Sequence, residues 1–140
     1  MYKITIYSVG KNKESWLSDA LHEYEVRLRP FLEIDWVFVK KEEQLQSLLE
    51  KVPFVALVIE SKQLSSEEFS LQLHKWLEDG GARLSFLIGG AEGIPKELEQ
   101  KAFARVSFSK MTFTHQMVRL LLIEQIYRAI EIRKGSLYHK

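Results

Sequence analysis

Residues 84–95 read LSFLIGGAEGIP. Leu84–Ile88 carries no charge, as a strand covered on both faces requires. Gly89, Gly90 and Gly93 follow at once, and a helix is expected to start near Pro95. A strand passing through a glycine turn into a helix is the repeating step of an α/β protein. Glycine at such a turn permits positive φ and lets a ligand approach the main chain with no Cβ in the way. The helix start beyond it offers N–H groups that lack intrahelical partners. The plainer alternative is a tight turn with no ligand, since glycine-rich turns are common.

The same alternation extends in both directions. Lys3–Val9 (KITIYSV) predicts a strand ended by Gly10, and Trp16, Leu17, Ala20, Leu21, Tyr24 and Leu28 recur at helical spacing up to Pro30. Phe31–Val39 predicts a second strand, KKEEQLQSLLEK a short amphipathic helix, and Phe54–Ile59 (FVALVI) a third, buried strand. Ser65 and Glu68 have capping-box spacing ahead of a helix that places Phe69, Leu73, Trp76 and Leu77 on one side and stops at Gly80-Gly81. Beyond the glycine turn, a strand is expected at Arg105–Phe108 and a long helix from Thr114 or His115 to about Ile132. The expected fold class is therefore α/β, a mostly parallel sheet flanked by helices, as one domain over residues 1–140. Ligands of such sheets bind beyond the carboxyl ends of the strands. Three loops lie there: Ser8–Lys13, Glu60–Leu64 and Gly89–Pro95.

Composition narrows the chemistry. With 46% hydrophobic and 28% charged residues, the chain has the balance of a soluble globular domain. No cysteine is present, which removes disulfides, thiolate metal sites and cysteine nucleophiles and favours a cytoplasmic protein. The N-terminus lacks the pattern of a signal peptide, and the apolar run Met117–Ile123 is too short to span a bilayer, so no membrane association is expected. Four scattered histidines give no ligand-spaced cluster, hence no metal. The net charge of +1 conceals an asymmetry: residues 1–104 hold 13 Lys+Arg against 17 Asp+Glu, residues 105–140 hold 7 against 2. A basic third on an acidic body either faces an anion or is a solvated face.

Four further features bear on function. The loop SVGKNK matches neither phosphate-binding fingerprint and reads best as a turn glycine beside solvated lysines. The segment SFSKMTFTHQMVR inserts polar residues just before the last helix. That helix is apolar around nearly its whole circumference, which requires cover on all sides and predicts a homodimer built on it. The ending GSLYHK is either a solvated tail or, through Tyr138, His139 and Lys140, a stacking ring, a titratable imidazole and a cation suited to an RNA base and its phosphate.

Taken together, LIGGAEGIP, SFSKMTFTHQMVRLLLIEQIYRAI and GSLYHK, with VGK after the first strand and LVIESK after the third, resemble the ribosomal large subunit methyltransferase H family, small members of the SPOUT superfamily. The likeness spans the chain and is strongest over residues 84–140. It implies a SPOUT-type sheet with a C-terminal deep trefoil knot, an obligate homodimer, and methylation at N3 of a pseudouridine in 23S rRNA with S-adenosylmethionine as donor. The target loop lies at the ribosomal subunit interface, which implies the assembled ribosome as substrate. Residue by residue, the resemblance puts Leu57, Gly90 and the loop Ser109, Lys110, Met111, Thr112, Phe113, Thr114 against the cofactor, mostly through the main chain. Thr114 stands where the family commonly has proline, and a threonine can hold the loop through a helix cap.

For the reaction, His139 or His115 is the expected proton acceptor, Arg119 or Arg128 the cation that steadies the developing imide anion or grips phosphate, and Tyr138 the ring that stacks on a base. Arg133, Lys134 and Lys140 are expected to contact RNA. The tail acts in its own chain or across a dimer. Two rivals stand beside this reading: a non-catalytic RNA- or ribosome-binding module of the same fold, and a nucleotide- or flavin-binding α/β enzyme using the GGAEG loop for phosphate.

Overall fold

A computed structural model describes all 140 residues. Five parallel strands, β1 (Tyr2–Val9), β2 (Leu32–Val39), β3 (Val55–Leu57), β4 (Arg83–Ile88) and β5 (Ala104–Val106), form one sheet in the order β2-β1-β4-β3-β5. The helices are α1 (Ser15–Leu28), α2 (Glu43–Leu49), α3 (Ser66–Asp79), α4 (Lys96–Gln100) and α5 (His115–Lys134).

The pleat divides the side chains between two cores. Ile4, Ile6, Val55, Leu84, Phe86 and Ile88 face α1, α3 and α5, whereas Ala56 and Leu87 face α2 and α4. Both faces of the sheet are covered, which explains the uncharged LSFLI run. The α3 start is the capping box its sequence spells: Ser65 Oγ accepts from Glu68 N at 3.0 Å, and Ser65 N donates to Glu68 Oε1 at 2.9 Å. Thr114 caps α5 by accepting from Met117 N at 3.2 Å.

Two expectations are corrected in detail. The third strand keeps only Val55–Leu57 of the apolar run Phe54–Ile59, because the chain leaves the sheet after Leu57 and lines a cavity with Val58 and Ile59. The fifth strand ends at Val106, and Ser107 pairs with Gln63 in an isolated bridge. Helix α5 also finds more cover within its own chain than its position suggests. It packs against both α1 and α3, burying Leu122, Ile123, Ile126, Ala129 and Ile130. Ser70 Oγ of α3 reaches across to donate to Ala129 O at 2.8 Å. Met117, Leu120 and Leu121, on the opposite stripe, stay partly exposed.

Candidate functional site

A cavity of about 620 Å³ opens beyond the carboxyl ends of β3 and β4, within the size range of small-ligand sites. Its apolar walls come from Leu57, Ile88, Phe113 and Val118, and its floor from the glycine turn. That turn is built so that only glycine serves at its first position. A Cβ on Gly89 would lie 2.6 Å from Gly93 C and 2.8 Å from Ile94 N. Gly93 has φ +82° and donates its N–H to Gly90 O at 3.0 Å, which folds the turn back on itself. Of the three loops named from sequence, Gly89–Pro95 and the start of Glu60–Leu64 line the cavity, and Ser8–Lys13 does not.

The cavity carries a distinctive charge pattern. Glu60, Glu92 and Glu99 line it against a single lysine, Lys96, and only Glu99 is ion-paired, with Arg105 Nε at 3.7 Å. A phosphate would meet two free carboxylates here, whereas a cation would be favoured. Of the seven predicted cofactor residues besides Gly90, five line this cavity or a pocket beside it. Leu57, Thr112 and Phe113 line the main cavity, and Leu57, Ser109, Met111 and Phe113 line a small adjoining pocket of about 60 Å³. Ser107 Oγ donates to Ser109 O at 2.9 Å, and Met111 N donates to Ser109 Oγ at 3.0 Å, so this loop is shaped by its own serines. Lys110 is exposed and lines neither space, and Thr114 acts as the helix cap.

His115 is the one predicted catalytic residue on the cavity wall. Burial foremost, then the positive charges of Arg119 and Lys13, hold its pKa below the ordinary histidine value, so the ring is neutral near pH 7.

Arg119 departs from its expected role. It is fully buried, and its five N–H groups meet five acceptors. Nε donates to Ser8 Oγ (3.1 Å), one terminal nitrogen to Asn12 Oδ1 (2.9 Å) and Gln116 Oε1 (3.4 Å), the other to Val9 O (2.7 Å) and Gly10 O (2.8 Å). Its guanidinium also lies over Phe38, 4.4 Å from the ring centroid. No donor remains for a phosphate or an imide anion, and no path leads to one. Arg119 instead fastens α5 beneath the loop after β1. Burial without a carboxylate partner depresses its pKa to about 10, which leaves it charged at neutral pH.

The remaining predicted catalytic residues gather elsewhere. Arg128 pairs with Glu124 at 2.9 Å, Tyr138 donates its hydroxyl to Glu124 Oε2 at 2.7 Å, and Arg128 lies over the Tyr138 ring at 4.9 Å. Tyr138 also packs edge-on against Tyr127 at 4.8 Å. Burial, and next Glu124, push the Tyr138 pKa well up, keeping the phenol protonated. Arg128 can only donate, so its 3.0 Å contact makes His139 Nδ1 an acceptor and leaves the ring proton on Nε2, facing Glu67 at 2.5 Å. Both imidazole nitrogens are thus engaged. Thirteen helical steps separate His115 from Arg128, about 20 Å along α5. Within one protomer the tail cluster and the cavity are separate. Of the three residues expected at RNA, Arg133 pairs with Glu78 (3.5 Å), Lys134 with Glu131 (3.1 Å), and Lys140 is exposed.

Sequence reasoning missed Glu124 and Gln116. The first had a signal in its i, i+4 spacing to Arg128. The second had only its i, i+3 spacing to Arg119, because Lys11 and Lys13 are over 100 positions away.

Comparison with known proteins fits this architecture. A family model described as "Predicted SPOUT methyltransferase" matches residues 2–139. A protein of Protochlamydia amoebophila (strain UWE25), ribosomal RNA large subunit methyltransferase H, is 48% identical over 141 residues, covering all of both chains. The chain therefore belongs to the SPOUT methyltransferases, and among them to the ribosomal RNA large subunit methyltransferase H family. Among solved structures, the Legionella pneumophila methyltransferase Lpg2936, with its cofactor SAM bound, superposes at a TM-score of 0.48 and 9% identity, over 92% of this chain and 66% of that one.

Proposed function

We propose that this chain, acting as a single domain, transfers a methyl group from S-adenosylmethionine to N3 of a pseudouridine in 23S rRNA, on assembled ribosomes in the cytoplasm. The observation that carries the reading is the cavity at the β3 and β4 carboxyl ends, apolar-walled and edged by the unpaired carboxylates Glu60 and Glu92. Those features suit a ligand with a sulfonium cation and an apolar purine, and they weigh against the nucleotide or flavin rival. The non-catalytic rival is disfavoured by a cavity of about 620 Å³ with a histidine on its wall.

Bound there, the donor supplies a methyl group already activated by its positive sulfur. What the chain must do is hold the base in line and remove the N3 proton, since the imide nitrogen becomes a nucleophile only when that proton leaves. His115 stands at the cavity in its neutral, proton-accepting form. Tyr138, Arg128 and His139 line no part of the cavity of their own chain, so we assign them to the cavity of a partner protomer. The partly exposed Met117, Leu120 and Leu121 supply an interface stripe near the start of α5. The deep trefoil knot that the family resemblance implies belongs to the same proposal.

Three measurements test this reading. Calorimetry with S-adenosylmethionine should give one saturable site per cavity, and labelled methyl groups should pass to ribosomes from cells lacking the enzyme. No cofactor binding together with RNA affinity would favour the non-catalytic module. Sedimentation should show a dimer that Leu120→Asp dissociates; a monomeric wild type with full activity would refute the shared site.

A further inference from the structure

The loops after β1 and β2 leave the sheet side by side. Val9 and Val39 are register partners, and Gly10 N donates to Val39 O at 2.8 Å, so the two chains run about 4.8 Å apart as they exit. Lys11 and Lys13 follow on one loop, Lys40 and Lys41 on the other. All four are exposed, and none has a carboxylate within 4.0 Å.

Their backbones are unusually well held for surface loops. Gln116 donates to Lys11 O at 2.9 Å and accepts from Lys13 N at 3.3 Å. Gln44 Oε1 accepts from both Lys40 N (2.9 Å) and Lys41 N (3.0 Å). Arg119 takes the carbonyls of Val9 and Gly10. The main chain is thus fixed while the ammonium heads remain free in water. Fixed stems with free cationic heads suit point contacts to phosphate, which lose less ordering entropy when the backbone is already in place.

The quartet also stands beside the cavity without entering it. A Cβ on Gly10 would lie 4.0 Å from His115 Nε2, yet none of the four lysines lines the cavity. The nearby acids temper the patch without neutralising it. Glu42 reaches toward the glycine turn, 3.3 Å from a Cβ on Gly90, while Glu14 and Glu43 sit at the starts of α1 and α2.

We propose that Lys11, Lys13, Lys40 and Lys41 form a docking surface for the phosphate backbone of the substrate RNA, fixing the register in which the target base meets the cavity. The proposal rests on the RNA-methylating reading above. It reverses the sequence-based view of SVGKNK as merely solvated.

The test uses the full-length dimer with Lys11→Gln/Lys13→Gln, Lys40→Gln/Lys41→Gln, and all four changes together. Binding to protein-free 23S rRNA and to ribosomes is followed against salt, alongside methyl transfer and cofactor affinity. Each double variant should flatten the log K against log salt slope by about 1.5, and the quadruple by about 3. KM for RNA should rise at least about tenfold in the quadruple, with kcat at saturating RNA nearly kept in Lys40→Gln/Lys41→Gln. Cofactor affinity should not change, which also certifies the fold. Unchanged slope and KM in an enzyme that still methylates would overturn the docking surface and leave the methyltransferase reading intact. A wild type that neither binds nor methylates RNA would remove both. Binding lost on ribosomes alone, with protein-free RNA unaffected, would assign the lysines to an acidic protein and overturn the phosphate assignment.

Discussion

Replacing Arg119 with methionine keeps most of the side chain's length and deletes its five donors. Ser8 is fully buried and its hydroxyl cannot turn to water, while Val9 O, in a part-buried position, loses its 2.7 Å donor. Each buried acceptor left unsatisfied costs roughly 1–3 kcal/mol, or about 2–6 kcal/mol for the pair. Gly10 O, Asn12 and Gln116 lie nearer the surface and rehydrate more cheaply. Burying the charge has its own cost, visible in a pKa held down to about 10, and the neutral side chain escapes it. The lower part of the range is therefore expected, about 2–4 kcal/mol, a sizeable share of the stability of a domain this size. Urea unfolding should show the loss as a lower midpoint at unchanged slope. Amides of residues 10–13 should exchange much faster while those of α3 keep their order of protection. Arg119→Lys, with three donors for five acceptors, should fall between. A methionine variant within about 0.5 kcal/mol of wild type, with the loop still protected, would refute the fastening role.

Further outcomes follow from other sites. Gly89→Ala should abolish cofactor binding in calorimetry with the sheet intact by circular dichroism, because its Cβ overlaps the Gly93 and Ile94 backbone. Ser65→Ala should lower stability by about 1 kcal/mol in thermal unfolding, the usual worth of an N-cap. Burial holds the pKa values of His74 and His115 below 6.5 in the folded state, so the unfolded chain binds more protons as pH falls. Their stabilising effect is complete above pH 6.5 and is lost as the pH drops toward the folded values; His74→Gln should flatten that fall in Tm. If His115 accepts the N3 proton, the acidic limb of kcat/KM lies below pH 6.5 and disappears in His115→Gln. His139→Ala should slow methyl transfer and spare cofactor affinity, and unchanged turnover would remove the tail from the reaction.

Much of this was legible in the sequence because it is encoded locally. LSFLI is uncharged because both faces of β4 are covered, and Ser65-x-x-Glu68 spells a cap that forms as read. The glycine turn pointed to the cavity because close backbone approach requires glycine wherever it occurs. What stayed hidden depends on pairings across long stretches of chain. Arg119 looked like a free cation on a helix, and only the fold brings Ser8, Val9 and Gly10 around it. The same fold separates His115 from Arg128 and His139, although a single basic C-terminal third had grouped them. The charge of the cavity was equally invisible, since Glu60, Glu92 and Glu99 come from three different loops and helices.

The central claim is that this chain methylates one base of the large-subunit RNA. Ribosomes from cells lacking the enzyme, treated with the purified protein and isotope-labelled S-adenosylmethionine, should yield a single labelled nucleoside by mass spectrometry, pseudouridine methylated at N3, and the label should vanish in Gly89→Ala. Label at a different base or position, or none at all with a cofactor-competent dimer, would contradict it.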